Sequence, residues 1–222
     1  MIKWGIIGLG KMAQTFANSI KETSNAKLIS VASLDKNRLK LFKDNFNISD
    51  DNAHNNYDDL ISSKKVDAIY IANLNNAHLS IIKKSADQNK NILCEKPITT
   101  NYEEAKEAYE HIKKNNIIFY EAIAYISHPQ TKIVKEIIDK KEIGNIVSIE
   151  ASFGFRVRKI KPESRLFNKK VGGGSILDIG SYPISFLNFL FNDIDIHQLN
   201  DAKGSFTSTG VDEYAEAKVL IN

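Results

Sequence analysis

The strongest constraint on the fold is an alternation that runs from the first residues to about residue 120. Short apolar runs at 2–7, 27–33, 67–72, 91–94 and 117–120 are rich in Ile, Val and Leu, as strands covered on both faces are. Between them apolar residues recur at helical spacing: Met12, Phe16 and Ile20; Leu39, Phe42 and Phe46; Ala105, Ala108, Tyr109 and Ile112. Thr100 and Glu103 have the spacing of a capping box at the start of the last of these helices. Strands and helices in strict turn, with short connections, require right-handed crossovers and predict an α/β fold with a doubly wound parallel sheet.

Beyond residue 121 the pattern changes. A helix is expected after Pro129, with Ile133, Val134, Ile137 and Ile138 on one face, ending near Gly144. Val147, Ile149, Ala151, Phe153, Phe155 and Val157 then alternate with polar or small residues, which predicts one long strand of an antiparallel sheet. Alternation returns from Tyr214 to Ile221 and breaks off at Asn222. The expected architecture is a Rossmann-type domain over 1–121, then an incomplete α+β domain over 122–222 with a mainly antiparallel, open sheet.

Composition excludes some functions. The net charge is only +3, and the lysines stand in scattered pairs such as Lys64-Lys65 and Lys140-Lys141, so no basic stripe for nucleic acid forms. No apolar run approaches the ~18 residues of a membrane span. Cys94 is the only cysteine, so no internal disulfide is available. A reducing, cytoplasmic location is expected. The histidines show no metal-ligand spacing, and no metal is expected.

The first apolar run leads into Gly8-Leu9-Gly10-Lys11-Met12-Ala13, of the form G-x-G-x-x-A. The first glycine permits a tight strand-to-helix turn and the second lets main chain approach a pyrophosphate. The small third residue lets helix pack on strand. The following helix would direct free N–H groups and its positive dipole end at the phosphates. Asp35, just past the second strand, stands where a ribose 2′-hydroxyl would sit and favours NAD, whereas Lys36 and Arg38 would suit the 2′-phosphate of NADP. The cofactor expected is therefore NAD or NADP. A kinase-like phosphate loop would need Gly-Lys-Ser/Thr here, which is absent.

Three further segments carry chemistry. Cys94-Glu95-Lys96-Pro97 follows the fourth expected strand, at the carboxyl end of the sheet, where open α/β folds place ligands. Glu121-Ala122 closes the fifth and leads to His128-Pro129-Gln130. The run from Gly172-Gly173-Gly174 to Tyr182 sets Asp178 and Tyr182 four apart, on one face if the stretch is helical.

With Gly8 and Gly10, Glu95-Lys96-Pro97 and the glycine run to Asp178 and Tyr182, the chain resembles the Gfo/Idh/MocA oxidoreductase family along its whole length. The tyrosine at 182, with Glu121-Ala122 and His128-Pro129-Gln130, is similar to its dihydrodiol and sugar dehydrogenase branch. The resemblance implies hydride transfer between a nicotinamide and a sugar, polyol or related hydroxy compound. It implies Lys96, Asp178 and Tyr182 as catalytic residues, with Tyr182 exchanging the proton, Lys96 activating it and Asp178 orienting substrate. A free tyrosine titrates near pH ~10, too high for an efficient base, and a neighbouring lysine cation would favour its phenolate. Gly8, Leu9, Gly10, Lys11, Met12, Asp35, Asn73, His78, Glu95 and Lys96 are the expected cofactor contacts. The resemblance further implies a cis Lys96–Pro97 bond and a homo-oligomer formed through the second domain's sheet.

The chain also departs from the family's pattern. Leu74 replaces a usual proline, Ile126 an arginine of this branch, and Leu34 an arginine common in NADP users. Each candidate also has a plain structural reading: a solvated lysine, a core tyrosine, Asp178 as a helix cap, His78 in a structural hydrogen bond. A dinucleotide-binding protein without turnover is the alternative function.

Overall fold

Ile6, Ile7, Ile69 and Ile71 are wholly buried, because the strands they occupy are packed on both faces. A computed structural model describes residues 1–191 and 196–221. It divides the chain into two compact units, Met1–Ala122 and Ile123–Asn222.

In the first unit the chain runs β1 (Ile2–Ile7), α1 (Lys11–Lys21), β2 (Ala26–Ala32), α2 (Lys36–Phe46), β3 (Ala53–His54), α3 (Tyr57–Ser62), β4 (Ala68–Ile71), α4 (His78–Asp87), β5 (Asn91–Cys94), α5 (Tyr102–Asn115) and β6 (Phe119–Glu121). The sheet order is β3-β2-β1-β4-β5-β6, and every pair is parallel. This is the doubly wound sheet expected from the alternation. The order reverses between β1 and β4, so the loops leaving these strands flank a crevice at the switch point. Full burial of one isoleucine contributes about 1.5–3 kcal/mol, so a strand such as β4, buried at all four positions, anchors the unit.

Three local readings need correction. The α1 core face is Ala13, Ala17 and Ile20, with Met12 half exposed. Alanines let the helix approach the sheet, while Phe16 packs at the edge against Trp4 and Tyr70, with ring centroids 5.1 and 4.2 Å away. The cap of α5 lies one residue further on: the Asn101 side chain accepts from the Glu104 amide at 2.9 Å, and the Glu104 carboxylate accepts from the Thr100 hydroxyl at 3.0 Å. Tyr109 is 63% exposed, leaving Ala108 and Ile112 as that helix's buried residues.

The second unit contains α6 (Pro129–Asp139), a π-helical turn (Ile176–Gly180) running into α7 (Ser181–Phe191), and the antiparallel pair β7 (Ile196–Phe206) and β8 (Asp212–Ile221). The alternation from Tyr214 to Ile221 is realised in β8; Asn222, where it breaks off, lies outside the described residues. The strand expected over 147–157 does not form a ladder. Val147 is 95% exposed, and among the described residues no strand pairs with this stretch. Alternation assigns the two sides of a strand but supplies no partner for its N–H and C=O groups. Among the described residues no helix is long and apolar enough to cross a membrane.

Candidate active site

At Gly8 the backbone has φ +87°, and a Cβ there would stand 2.7 Å from Asn73 Oδ1 and 2.8 Å from the Ala72 carbonyl. Only glycine fits that turn. Two residues on, a Cβ at Gly10 would meet nothing within 4 Å, so space is open above the loop. The side chains of Asp35, Asn56, Asn101 and His128 cap α2, α3, α5 and α6. Both α4 and α1 lack a side-chain cap and an acidic residue in the first turn, but α4 continues from a 3-10 turn at Asn75–Ala77, whereas α1 starts directly after the glycine loop. Its leading N–H groups and dipole are left for an anion. Leu9 spends its side chain in the core, leaving its main chain as the part a ligand can meet, whereas Lys11 and Met12 are exposed.

Asn73 follows β4. Its amide nitrogen donates to the Tyr57 hydroxyl at 2.9 Å, while Oδ1, beside Gly8, is buried without a hydrogen-bond partner. An orphaned buried acceptor costs about 1–3 kcal/mol, which a donor on a bound group would offset. The bare helix start, the room at Gly10 and this acceptor together fit a dinucleotide.

Asp35 plays a second part besides the expected one. Its Oδ1 accepts from the amides of Asn37 and Arg38, and Oδ2 pairs with Arg38 Nε at 3.3 Å. A carboxylate has about four acceptor sites, so capacity remains for a ribose hydroxyl. Arg38, folded against it, offsets the charge that would otherwise reject a 2′-phosphate.

The Glu95–Ile98 loop after β5 is held by three buried or half-buried side chains. Glu95 accepts from the hydroxyl of Tyr70, whose phenol is pushed up by burial and by the Glu95 carboxylate. His78 is wholly buried. Its Nδ1 lies 2.9 Å from the Pro97 carbonyl and Nε2 3.2 Å from that of Asn73. Burial, outweighing both carbonyls, pushes the imidazole down toward its neutral form, which donates to one carbonyl at a time. His78 ties the Asn73 and Pro97 loops together. The Ile98 amide donates to Glu121 Oε1 at 2.8 Å. Burial raises the Glu121 carboxyl, opposed by the Ile98 amide and Lys96. The Lys96–Pro97 bond is cis, as the resemblance implied. The sequence marks Glu121 as part of the Glu121-Ala122 segment but gives it no role; the bond to Ile98 is what assigns one.

In the second unit the glycine run ends on Gly174, at φ +119°, where a Cβ would lie 2.1 Å from Asp212 Oδ1. The other Asp212 oxygen accepts from the Ser175 hydroxyl at 2.6 Å and the Ile176 amide at 2.7 Å, capping the π-helical turn from the first residue of β8. Asp178 is buried and pairs with Arg165 Nη1 at 2.8 Å. The Tyr182 ring packs against Phe153 and Tyr125, at 4.9 and 6.2 Å between centroids. The Tyr125 hydroxyl lies 2.7 Å from Ser185 Oγ. Arg165, Asp212, Tyr125 and Phe153 carried no site signal in the sequence, being remote in the chain from the residues they hold.

A family model described as an oxidoreductase family with an NAD-binding Rossmann fold matches residues 2–123, and the GFO/IDH/MocA C-terminal domain matches residues 131–219. The chain belongs to the Gfo/Idh/MocA oxidoreductase family. Among its relatives, trans-1,2-dihydrobenzene-1,2-diol dehydrogenase of Xenopus tropicalis is 32% identical over 95% of this chain and 63% of its own length. D-xylose 1-dehydrogenase (NADP(+)) 2 of Haloferax volcanii is 28% identical over 82% of this chain and 55% of that enzyme. The solved aldose-aldose oxidoreductase of Caulobacter crescentus shares the fold at TM-score 0.86 and 18% identity, covering 99% of this chain and 67% of that one. The chain thus spans 63% of the length of the first of these relatives.

Proposed function

We propose that the protein is an NAD(P)-dependent oxidoreductase acting on the CH–OH group of a sugar, polyol or related hydroxy compound. The observation that carries this reading is the bare start of α1, with open space at Gly10 and an unpartnered acceptor on Asn73. When bound, the nicotinamide supplies the hydride chemistry. The chain's own residues hold the diphosphate on the α1 amides, present Lys96 on a pinned loop, and exchange the hydroxyl proton at Tyr182 Oη. Lys96 contributes the cation that favours a phenolate, and Asp178, steadied by Arg165, orients the substrate hydroxyls. The dihydrodiol and xylose dehydrogenases among the relatives support the substrate class. The proposal extends to a cytoplasmic location, consistent with a lone buried thiol at Cys94, and to self-association through β7 and β8, where Leu199, Phe206 and Leu220 are exposed.

The test is reduced-nicotinamide absorbance across a sugar, polyol and cyclic-diol panel. Turnover should fall by about a hundredfold or more in Tyr182→Phe and in Lys96→Met. Wild-type rates in both variants would overturn the assignment. The Asp178–Arg165 ion pair favours one other reading, a binding protein in which Asp178 is structural. That reading predicts dinucleotide binding with no turnover on any member of the panel.

A further inference from the structure

β6 ends on Glu121, which stands in register with Cys94 at the end of β5, and the Ala122 amide donates to the Cys94 carbonyl at 2.7 Å. From there the Glu121 side chain reaches across to the loop and takes the Ile98 amide at 2.8 Å. These two bonds close a small ring of main chain around Glu95, Lys96 and Pro97. Glu95 is already engaged by the Tyr70 hydroxyl, so the carboxylate that takes the Ile98 amide is that of Glu121. The charged groups acting on it are Lys96, which favours the carboxylate, and Glu95, which opposes it.

We propose that Glu121 is the positioning residue of the Lys96 loop: its carboxylate fastens Lys96–Pro97–Ile98 to the end of β6 through the Ile98 amide. The inference rests on the reading that this loop serves the dinucleotide and substrate, and it adds a residue acting through Lys96 to that reading. Glu121→Gln keeps an acceptor for the Ile98 amide and removes the charge; Glu121→Ala removes both.

The experiment uses the full chain and reads Lys96 directly. Acetylation by N-hydroxysuccinimide acetate at mildly alkaline pH is followed by peptide mass spectrometry, beside amide hydrogen exchange over 95–99. Lys96 should acetylate at the wild-type rate in Glu121→Gln and at least about threefold faster in Glu121→Ala, where the loop is released. Exchange at Ile98 should stay at the wild-type rate in Glu121→Gln and rise about tenfold or more in Glu121→Ala. If Glu121→Ala does not fold, Glu121→Asp, one methylene short of the amide, supplies the exchange comparison with the same expectation. Wild-type acetylation of Lys96 in Glu121→Ala would overturn the positioning of Lys96. Wild-type exchange at Ile98 in the Ala or Asp variant would overturn the fastening. A parallel NADH titration separates the two claims: failure of the wild-type chain to bind would sink the dinucleotide reading, while labelling and exchange would still decide the role of Glu121.

Discussion

β4 is apolar and buried at every residue, whereas β8 mixes apolar with charged residues and its Tyr214, Val219 and Leu220 face solvent. The parallel strand is sealed by crossover helices encoded next to it, so its pattern and its environment arrive together. The antiparallel ribbon β7–β8 gets its hydrogen bonds from one neighbour and little cover for its faces. Stability in this chain should therefore be concentrated in the first unit, while the second should depend on single polar anchors.

The largest expected effect lies in the sheet. Ile69→Ala should destabilise the first unit by about 2–5 kcal/mol, and Leu220→Ala the chain by less than about 0.5 kcal/mol. Urea unfolding followed by circular dichroism checks both, and Trp4 fluorescence reports on β1. Equal losses would erase the contrast between the strands. Next is Gly8→Ala, which forces a side chain into a left-handed turn against Ala72. It should cost about 1–3 kcal/mol and weaken NADH binding at least tenfold.

Asp212→Ala carries the comparison into the second unit. Losing a cap that serves both Ser175 and Ile176 should cost about 0.5–2 kcal/mol by thermal unfolding, with Asp212→Asn less affected. No change in either variant would mean that the glycine run is held by packing alone. The smallest effect is a pH dependence. Burial depresses the His78 imidazole below its ordinary 6.5, so its neutral form stabilises the fold above that pH. That contribution should be lost as pH falls below 6.5 and should be absent from His78→Asn. Melting temperatures measured from neutral pH down to mildly acid pH, wild type against variant, give the comparison.

What the sequence disclosed follows the same division. Ile2–Ile7 and Gly8–Ala13 were legible because strand, turn and helix are set by neighbours in the chain. The two-residue β3 was not, since Ala53 and His54 form a strand only because β2 offers an edge. Val147 to Val157 alternates like a strand and pairs with nothing among the described residues, because a pattern cannot name its partner. In the candidate site, Gly8, Gly10, Lys96, Asp178 and Tyr182 stood out as motif residues. Asp212 did not, and Glu121 stood out only as part of a segment; their contacts join Glu121 to Ile98 across 23 residues and Asp212 to Ile176 across 36. Such contacts exist only once the chain has folded. His78 stands out in the sequence for its chemistry, while its place between the Asn73 and Pro97 carbonyls is visible only in the fold.

The central claim is that the uncapped start of α1 receives a dinucleotide diphosphate. Its most direct test is titration of the purified chain and of Gly10→Asp with NADH and NADPH, followed by nicotinamide fluorescence. A side chain at Gly10 has room, so the variant should keep its stability while placing an acid where the diphosphate would lie. Saturable binding with a Kd well below millimolar in the wild type, lost in Gly10→Asp at unchanged melting temperature, is the predicted result. No association of the wild-type chain with either cofactor at millimolar concentration, or equal affinity in the variant, would contradict it.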